Sequence, residues 1–318
     1  MPKGYIKKVE TVMHVDCNCN CIFCSFGHKM AKARAEKGYG YKKKEDIKKD
    51  IDYARSIGAT IFCFTGGEPT LRKDLPELAG YAKEAGIEDI QVQTNGRLLC
   101  YRDYCQRLVD AGVTEFAVSI HSPKEDVNDY MMGAKGAWRQ SMQGIRNLRE
   151  MNQTVKVSIV ITKLNYKDLP GFTRKLIDMG VSEIRYDFVV VDGLLRDKPR
   201  SAKSIVPRMS EVVPYLEECL NMYEGPDKTW MAVFNMPHCL LKDYVKHVVD
   251  MVQPATELRG ADFIANIKDN RKRDKVKPRK CGSCFYSRLC FGVWDKYAEL
   301  YGTDEINPVK RSEVIRSD

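Results

Sequence analysis

Ile61-Phe62-Cys63-Phe64-Thr65-Gly66-Gly67-Glu68-Pro69 is the stretch whose reading decides the fold. Residues 60–64 are short, apolar and rich in β-formers, so they read as a buried strand. The turn behind the strand holds two glycines, which let backbone approach closely, and one carboxylate. Upstream stands Cys17-Asn18-Cys19-Asn20-Cys21-Ile22-Phe23-Cys24. Its C-x3-C-x2-C spacing gathers Cys17, Cys21 and Cys24 in one loop, and three thiolates converging in one loop suit a metal cluster.

Working outward, strand and helix patterns alternate. Strands are predicted over 8–15, 60–64, 89–93, 115–120, 155–162 and 183–191. Amphipathic helices are predicted over 44–57, 75–85, 102–111, 138–151 and 169–179, four of them closed by Gly58, Gly86, Gly112 and Gly180. Six β-α units in order predict a parallel α/β sheet, curled by right-handed crossovers into a partial (β/α)6 barrel. Functional residues in such folds gather at the C-terminal strand ends. The cysteine loop, the GGEP turn, Thr94-Asn95-Gly96 and His121-Ser122-Pro123 all follow strands, so they should share one rim.

Together the cysteine loop and GGEP resemble the radical SAM superfamily. In that family three cysteines hold a 4Fe–4S cluster whose open iron binds S-adenosylmethionine (SAM). The resemblance implies that Gly66, Gly67 and Glu68 receive the SAM amino group, the carboxylate pairing with the ammonium. It puts Phe23 near the adenine and Ser119 near the ribose or carboxylate. Many relatives read S-x-D-G where this chain has Ser119-Ile120-His121-Ser122, and many carry an arginine near Met132. Lys135 is a candidate replacement for carboxylate recognition. Asn95 lies on the same rim, and Ile161 is a candidate for packing on adenine, with a plain core role as the alternative. The chemistry implied is reductive cleavage of SAM to a 5′-deoxyadenosyl radical, which abstracts a substrate hydrogen. Cys19 falls off the family spacing and reads as a bystander.

A second set, Cys281-x2-Cys284-x5-Cys290 with Cys239 upstream, offers four more thiolates. It resembles the auxiliary 4Fe–4S extension called twitch, the shorter relative of SPASM. The GVWDKY and YGTDEINP stretches would cover that cluster as a helix and tail. Structural zinc is the alternative at either set, with His238 a possible ligand at the second. The division expected is a core over 1–206 and an auxiliary-cluster domain over 207–318, joined by a polar linker after Val191.

Cys63 shares a strand face with Thr65. If that face is the barrel interior, its thiol is a candidate hydrogen donor, as in radical epimerases; a buried structural role is the alternative. Tyr186 and Asp187 point to opposite faces, and Asp187 is a candidate substrate contact. The run 268–280, KDNRKRDKVKPRK, reads as a basic surface loop.

Hydrophobic content of 43% over 318 residues is enough for a sizeable core. There is no apolar run long enough to span a membrane and no secretory h-region at the start, so a cytoplasmic location is expected. Twelve cysteines then point to metal ligation rather than disulfides. The formal charge of +9 leaves an RNA or nucleoside substrate open as an alternative, although no aromatic residue interleaves the basic run. A non-catalytic Fe–S or zinc carrier is the remaining class, and a carrier has no need of a GGEP turn. The molybdenum-cofactor enzyme that acts on GTP ends in a GGxGRR-type tail, whereas this chain ends in VKRSEVIRSD. No leader-peptide domain is seen before the barrel, which tilts the expected substrate toward a small metabolite over a ribosomal peptide. Expected reactions are oxidation, epimerisation or cross-linking, with a one-electron reductant such as flavodoxin or ferredoxin.

Overall fold

The structure is a computed structural model that describes residues 7–25, 40–192, 195, 199–225, 228–249 and 255–314. Its centre is a nine-stranded sheet in the order β7-β6-β5-β4-β3-β2-β1-β8-β9. The strands are β1 Lys8–Val12, β2 Ile61–Thr65, β3 Asp89–Thr94, β4 Glu115–Ser119, β5 Thr154–Ile161, β6 Glu183–Phe188, β7 Trp230–Phe234, β8 Thr256–Arg259 and β9 Ile264–Asn266. Neighbours from β7 through β8 are parallel, and only β9 runs antiparallel. The first six strands are those expected, in the expected order.

Helices α1 Lys44–Ser56, α2 Leu75–Glu84, α3 Arg102–Asp110, α4 Glu125–Met132, α5 Ala137–Glu150 and α6 Leu169–Asp178 fill the crossovers. Their apolar stripes supply the core. On α5, Met142, Ile145 and Leu148 are buried at helical spacing against the sheet. β5 shows the strand counterpart: Val155, Val157, Ile159 and Ile161 join the apolar layer, while Lys156 and Ser158 turn to the concave face.

Beyond residue 206, β7, β8 and β9 pair into both ends of the main sheet. Two expectations change. The expected linker lies partly outside the described residues, but its end forms helix α7, Pro199–Ile205, before α8, Met209–Leu220. The basic run is not all loop. Asn266 caps α9, Ile267–Arg273, by accepting from the N–H groups of Lys268 and Asp269, and β10, Lys275–Val276, pairs with β11, Val293–Trp294. Helix α10, Asp295–Tyr301, and the short α11, Arg311–Val314, close the chain. Among the described residues no helix is long and apolar enough to cross a membrane.

Candidate active site

The cysteine loop leaves β1 and is pinned at both flanks. Asn20 N–H donates to Met132 O at 2.9 Å and Ile22 N–H to Met131 O at 3.0 Å, fixing it on the end of α4. Gly133 follows in the left-handed region at φ +58, where a Cβ would stand 2.3 Å from Asn20 O. Cys17, Cys21 and Cys24 are all partly exposed, whereas Cys19 is buried against Met132 and Ala137. A hydrogen bond from the Cys19 thiol pulls the Cys17 thiol down to about 7. Burial, with repulsion from Cys24 and Cys17, pushes Cys21 up to about 12. Three crowded thiols whose charges oppose one another suit a cationic iron cluster, which relieves that repulsion.

GGEP packs directly beneath this loop. Gly67 N–H donates to His14 O at 2.7 Å and Glu68 N–H to Asp16 O at 2.8 Å. A Cβ on Gly67 would lie 2.0 Å from Asp16 O, and one on Gly66 would lie 2.4 Å from His14 O. The glycines are therefore required by the chain's own backbone, whatever else they receive.

Glu68 is fully buried. Its carboxylate accepts from Thr70 N at 3.1 Å, Thr70 Oγ1 at 2.5 Å, Thr94 Oγ1 at 2.6 Å and Asn95 N at 2.7 Å. Burial raises its pKa, against the pull of these donors. The carboxylate has no exposed surface, and these four donors come from the GGEP turn itself and from the turn after β3. Asn95 extends the chain of contacts: its Nδ2 reaches Asn18 Oδ1 at 2.6 Å and Cys17 Sγ at 3.8 Å. Arg97 also donates to Asn18 O.

The concave face of the sheet bounds a cavity of roughly 430 Å³. Lys8, Lys156 and Arg185 line it together with Glu10, Glu183 and Asp187, Ser119 and Ser158, and the rings of Trp230 and Phe234. Its floor is ion-paired. Lys8 meets Glu10 at 2.9 Å, Lys156 meets Glu115 at 2.7 Å and Glu183 at 3.1 Å, and Arg185 meets Glu183 at 2.6 Å. Burial works against the Glu183 carboxylate, but Arg185 and Lys156 hold its pKa below the ordinary value.

At the other end, Cys239, Cys281, Cys284 and Cys290 line one small enclosed cavity with His238 and Tyr286. Burial pushes the Cys239 thiol up to about 12, and Cys290, Cys284 and Cys281 add repulsion. Ile306, Asn307 and Pro308 of the tail form its cover. Among the described residues no three His, Cys, Asp or Glu side chains are drawn in around a single ion.

The sequence profile described as the Radical SAM superfamily matches residues 11–176. The chain belongs to the radical SAM superfamily. It is an enzyme of that family, whose cofactors are a 4Fe–4S cluster and SAM. Among curated relatives, Fe-coproporphyrin III synthase of Methanosarcina barkeri is 33% identical over 56% of this chain and 42% of its own. The probable GTP 3′,8-cyclase of Saccharolobus solfataricus is 32% identical over 55% of this chain and 54% of its own. The chain thus spans about half the length of these relatives, and the named activities differ. Streptococcus suis SuiB bound to S-adenosylmethionine superposes with TM-score 0.66 at 15% identity, over 98% of this chain and 77% of that one. Native anSMEcpe with bound AdoMet gives 0.63 at 15% identity, over 98% and 94%. Both likenesses show the fold, extending over nearly the whole chain.

On this radical SAM fold the expected site residues separate. Phe23 stands at the cysteine loop, edge-on to His121 with ring centres 4.9 Å apart. Ser119 and Asp187 line the barrel cavity. Ile161 does not: it is buried in the apolar layer between sheet and helices, as its parity on β5 requires. Lys135 is exposed on a shelf with Glu125, Asp126 and Asp129 and does not line the barrel cavity. Cys63 shares the inward face of Ile61, and its neighbours include Lys8, Glu10 and Arg185. It has no exposed surface, and burial pushes its thiol up to about 12. Tyr186 faces the opposite layer, its hydroxyl 2.6 Å from Thr173 Oγ1. The ion-paired floor was missed, although its signal was present: strands such as Glu183-Ile-Arg-Tyr-Asp-Phe alternate charged with apolar residues.

Proposed function

We propose that this enzyme cleaves SAM reductively at the Cys17–Cys21–Cys24 loop and uses the 5′-deoxyadenosyl radical to abstract hydrogen from a polar substrate in the barrel cavity. That substrate is a small molecule or the end of a peptide, and a second 4Fe–4S cluster on Cys239, Cys281, Cys284 and Cys290 assists. When bound, the first cluster supplies the electron that breaks the S–C5′ bond; it is loaded by a reductant such as flavodoxin or ferredoxin. One observation carries the reading: Asn95 touches Cys17, and its backbone bonds the buried acid of GGEP, so the cysteine loop and the GGEP turn form one rim above a charged cavity.

The chain's own residues hold and exclude. Gly66 and Gly67 offer partly exposed backbone beside the loop, while Glu68 keeps that backbone in place from below. Phe23 and His121 form a wall. The cavity's charges favour a polar substrate. An apolar macrocycle would strip water from Lys8, Lys156 and Arg185 without replacing it, at a cost of several kcal/mol. On this reading residues 1–206 are the catalytic core, and the remainder is an extension that also lends three strands to the sheet.

Anaerobic reconstitution tests the reading. About eight irons with matching sulfide are expected per chain, with 5′-deoxyadenosine formed from SAM under reducing conditions. Cys24→Ala should abolish that product; a Cys24→Ala enzyme that still formed it would sink the mechanism.

A further inference from the structure

Three of the four sulfurs in the C-terminal cavity receive backbone N–H groups. Val309 donates to Cys284 Sγ at 3.4 Å, Gly292 donates to Cys290 Sγ at 3.3 Å, and Asn307 donates to Cys239. Two of the donors come from one strap, 306–309, with Pro308 between them. The strap is anchored. Ile306 and Val309 are buried, Val309 O accepts from Phe285 N at 2.8 Å, and the adjacent Glu305 carboxylate takes Tyr297 Oη and, at 2.9 Å, Ser210 N. The third donor is fixed by close packing. Gly292 has φ +88, and a Cβ there would stand 2.2 Å from Val276 O.

A hydrogen bond to a sulfur strengthens as negative charge on that sulfur grows. A reduced cluster carries one more electron than an oxidised one, so such donors favour reduction, and hydrogen bonds to sulfur are among the levers that set cluster potential. We propose that the 306–309 strap and Gly292 raise the reduction potential of a cluster held by Cys239, Cys281, Cys284 and Cys290, fitting it to accept an electron. The inference rests on the second cluster of the proposed function. It assigns Asn307 and Val309 a tuning role exercised through their backbone, independent of side-chain identity.

The test is an EPR-monitored series of poised potentials on the reconstituted full chain. The wave that SAM does not shift belongs to the C-terminal cluster. Asn307→Pro and Val309→Pro each delete one donor, and Asn307 already precedes a proline, which confines it to extended backbone. Each should shift the reduction equilibrium about tenfold toward the oxidised form, about 59 mV for a one-electron couple, at unchanged iron. Asn307→Ala and Val309→Ala keep the N–H and should leave the wave in place. A wave unmoved by both prolines at unchanged iron overturns the proposal. If the prolines shed iron, the unaltered protein in D2O decides: deuterons coupled to the reduced C-terminal cluster in pulsed EPR support it, and their absence overturns it. About four irons in the unaltered protein would remove the second cluster itself, and this inference with it.

Discussion

The backbone N–H of Asn95 lies 2.7 Å from the Glu68 carboxylate, tying the turn after β3 to the turn after β2. Thr94 and Thr70 complete the shell, and the Asn95 side chain carries the link to Cys17. A buried carboxylate with four donors organises the rim from beneath.

Glu68→Gln tests this arrangement. The amide would bring a donor where only acceptance is wanted, leaving one or two buried N–H or O–H groups opposed. Each unsatisfied group costs about 1–3 kcal/mol, so a stability loss of about 3 kcal/mol is expected in urea unfolding. Iron retention should fall with it, while SAM affinity per loaded site stays unchanged. Intact stability with lost SAM affinity would return the carboxylate to the ligand.

A second buried acid staples the later strands to the first. Asp50 on α1 accepts from Thr11 Oγ1 at 2.7 Å, from Arg259 Nε at 2.8 Å on β8, and from Lys42 Nζ. Asp50→Asn would take the carboxylate from Lys42 in a site where the acid is 3% exposed, while Arg259 keeps its pair with Glu257 at 2.6 Å. Removing one partner of a buried ion pair costs about 3–5 kcal/mol. The guanidinium midpoint should drop accordingly; a change below about 1 kcal/mol would mean that Lys42 finds water.

What the sequence disclosed followed from locality. The six strands, their helices and both cysteine spacings are short-range patterns, and so is the tail over the second cavity. Helix α4 carried readable signals, with Glu125 and Asp126 in its first turn and Gly133 at its end, but its eight residues form too short a period to stand out. The donor shell of Glu68 could not be read, because Thr94 and Asn95 come from another β-α unit. Which face of β5 Ile161 takes needed the parity of that strand referred to the sheet's concave side. The donors to Cys284, Cys290 and Cys239 are backbone N–H groups, which no residue type announces.

His121 predicts an acid-side loss of stability. Burial lowers its pKa to about 3 from an ordinary 6.5, and its Nδ1 accepts from Val160 N at 3.2 Å. Below pH 6.5 the unfolded chain binds a proton that the folded chain refuses. Stability is therefore unaffected above that pH and falls as pH drops toward 3, by about 1.4 kcal/mol per unit. Between pH 7 and pH 5 the contribution is about 2 kcal/mol. His121→Gln should flatten that part of the urea-midpoint profile, and an unchanged slope would assign the loss to other groups.

The contrast between Lys135 and Asn95 tests where the SAM-binding rim lies. Lys135 is exposed among Glu125, Asp126 and Asp129, so Lys135→Ala removes a solvated charge whose neighbours are acids. Its effect on SAM binding should stay within about twofold, since exposed pairs contribute about 0–1 kcal/mol. Asn95 is buried and bonds Asn18 and Cys17. Asn95→Ala therefore frees the cysteine loop at its first ligand and should lower iron loading at that site. Equilibrium dialysis of SAM, with iron determined on the same samples, separates the two. A tenfold loss of SAM affinity in fully loaded Lys135→Ala would bring that lysine onto the rim, and full loading of Asn95→Ala would show that the loop holds its shape without the amide.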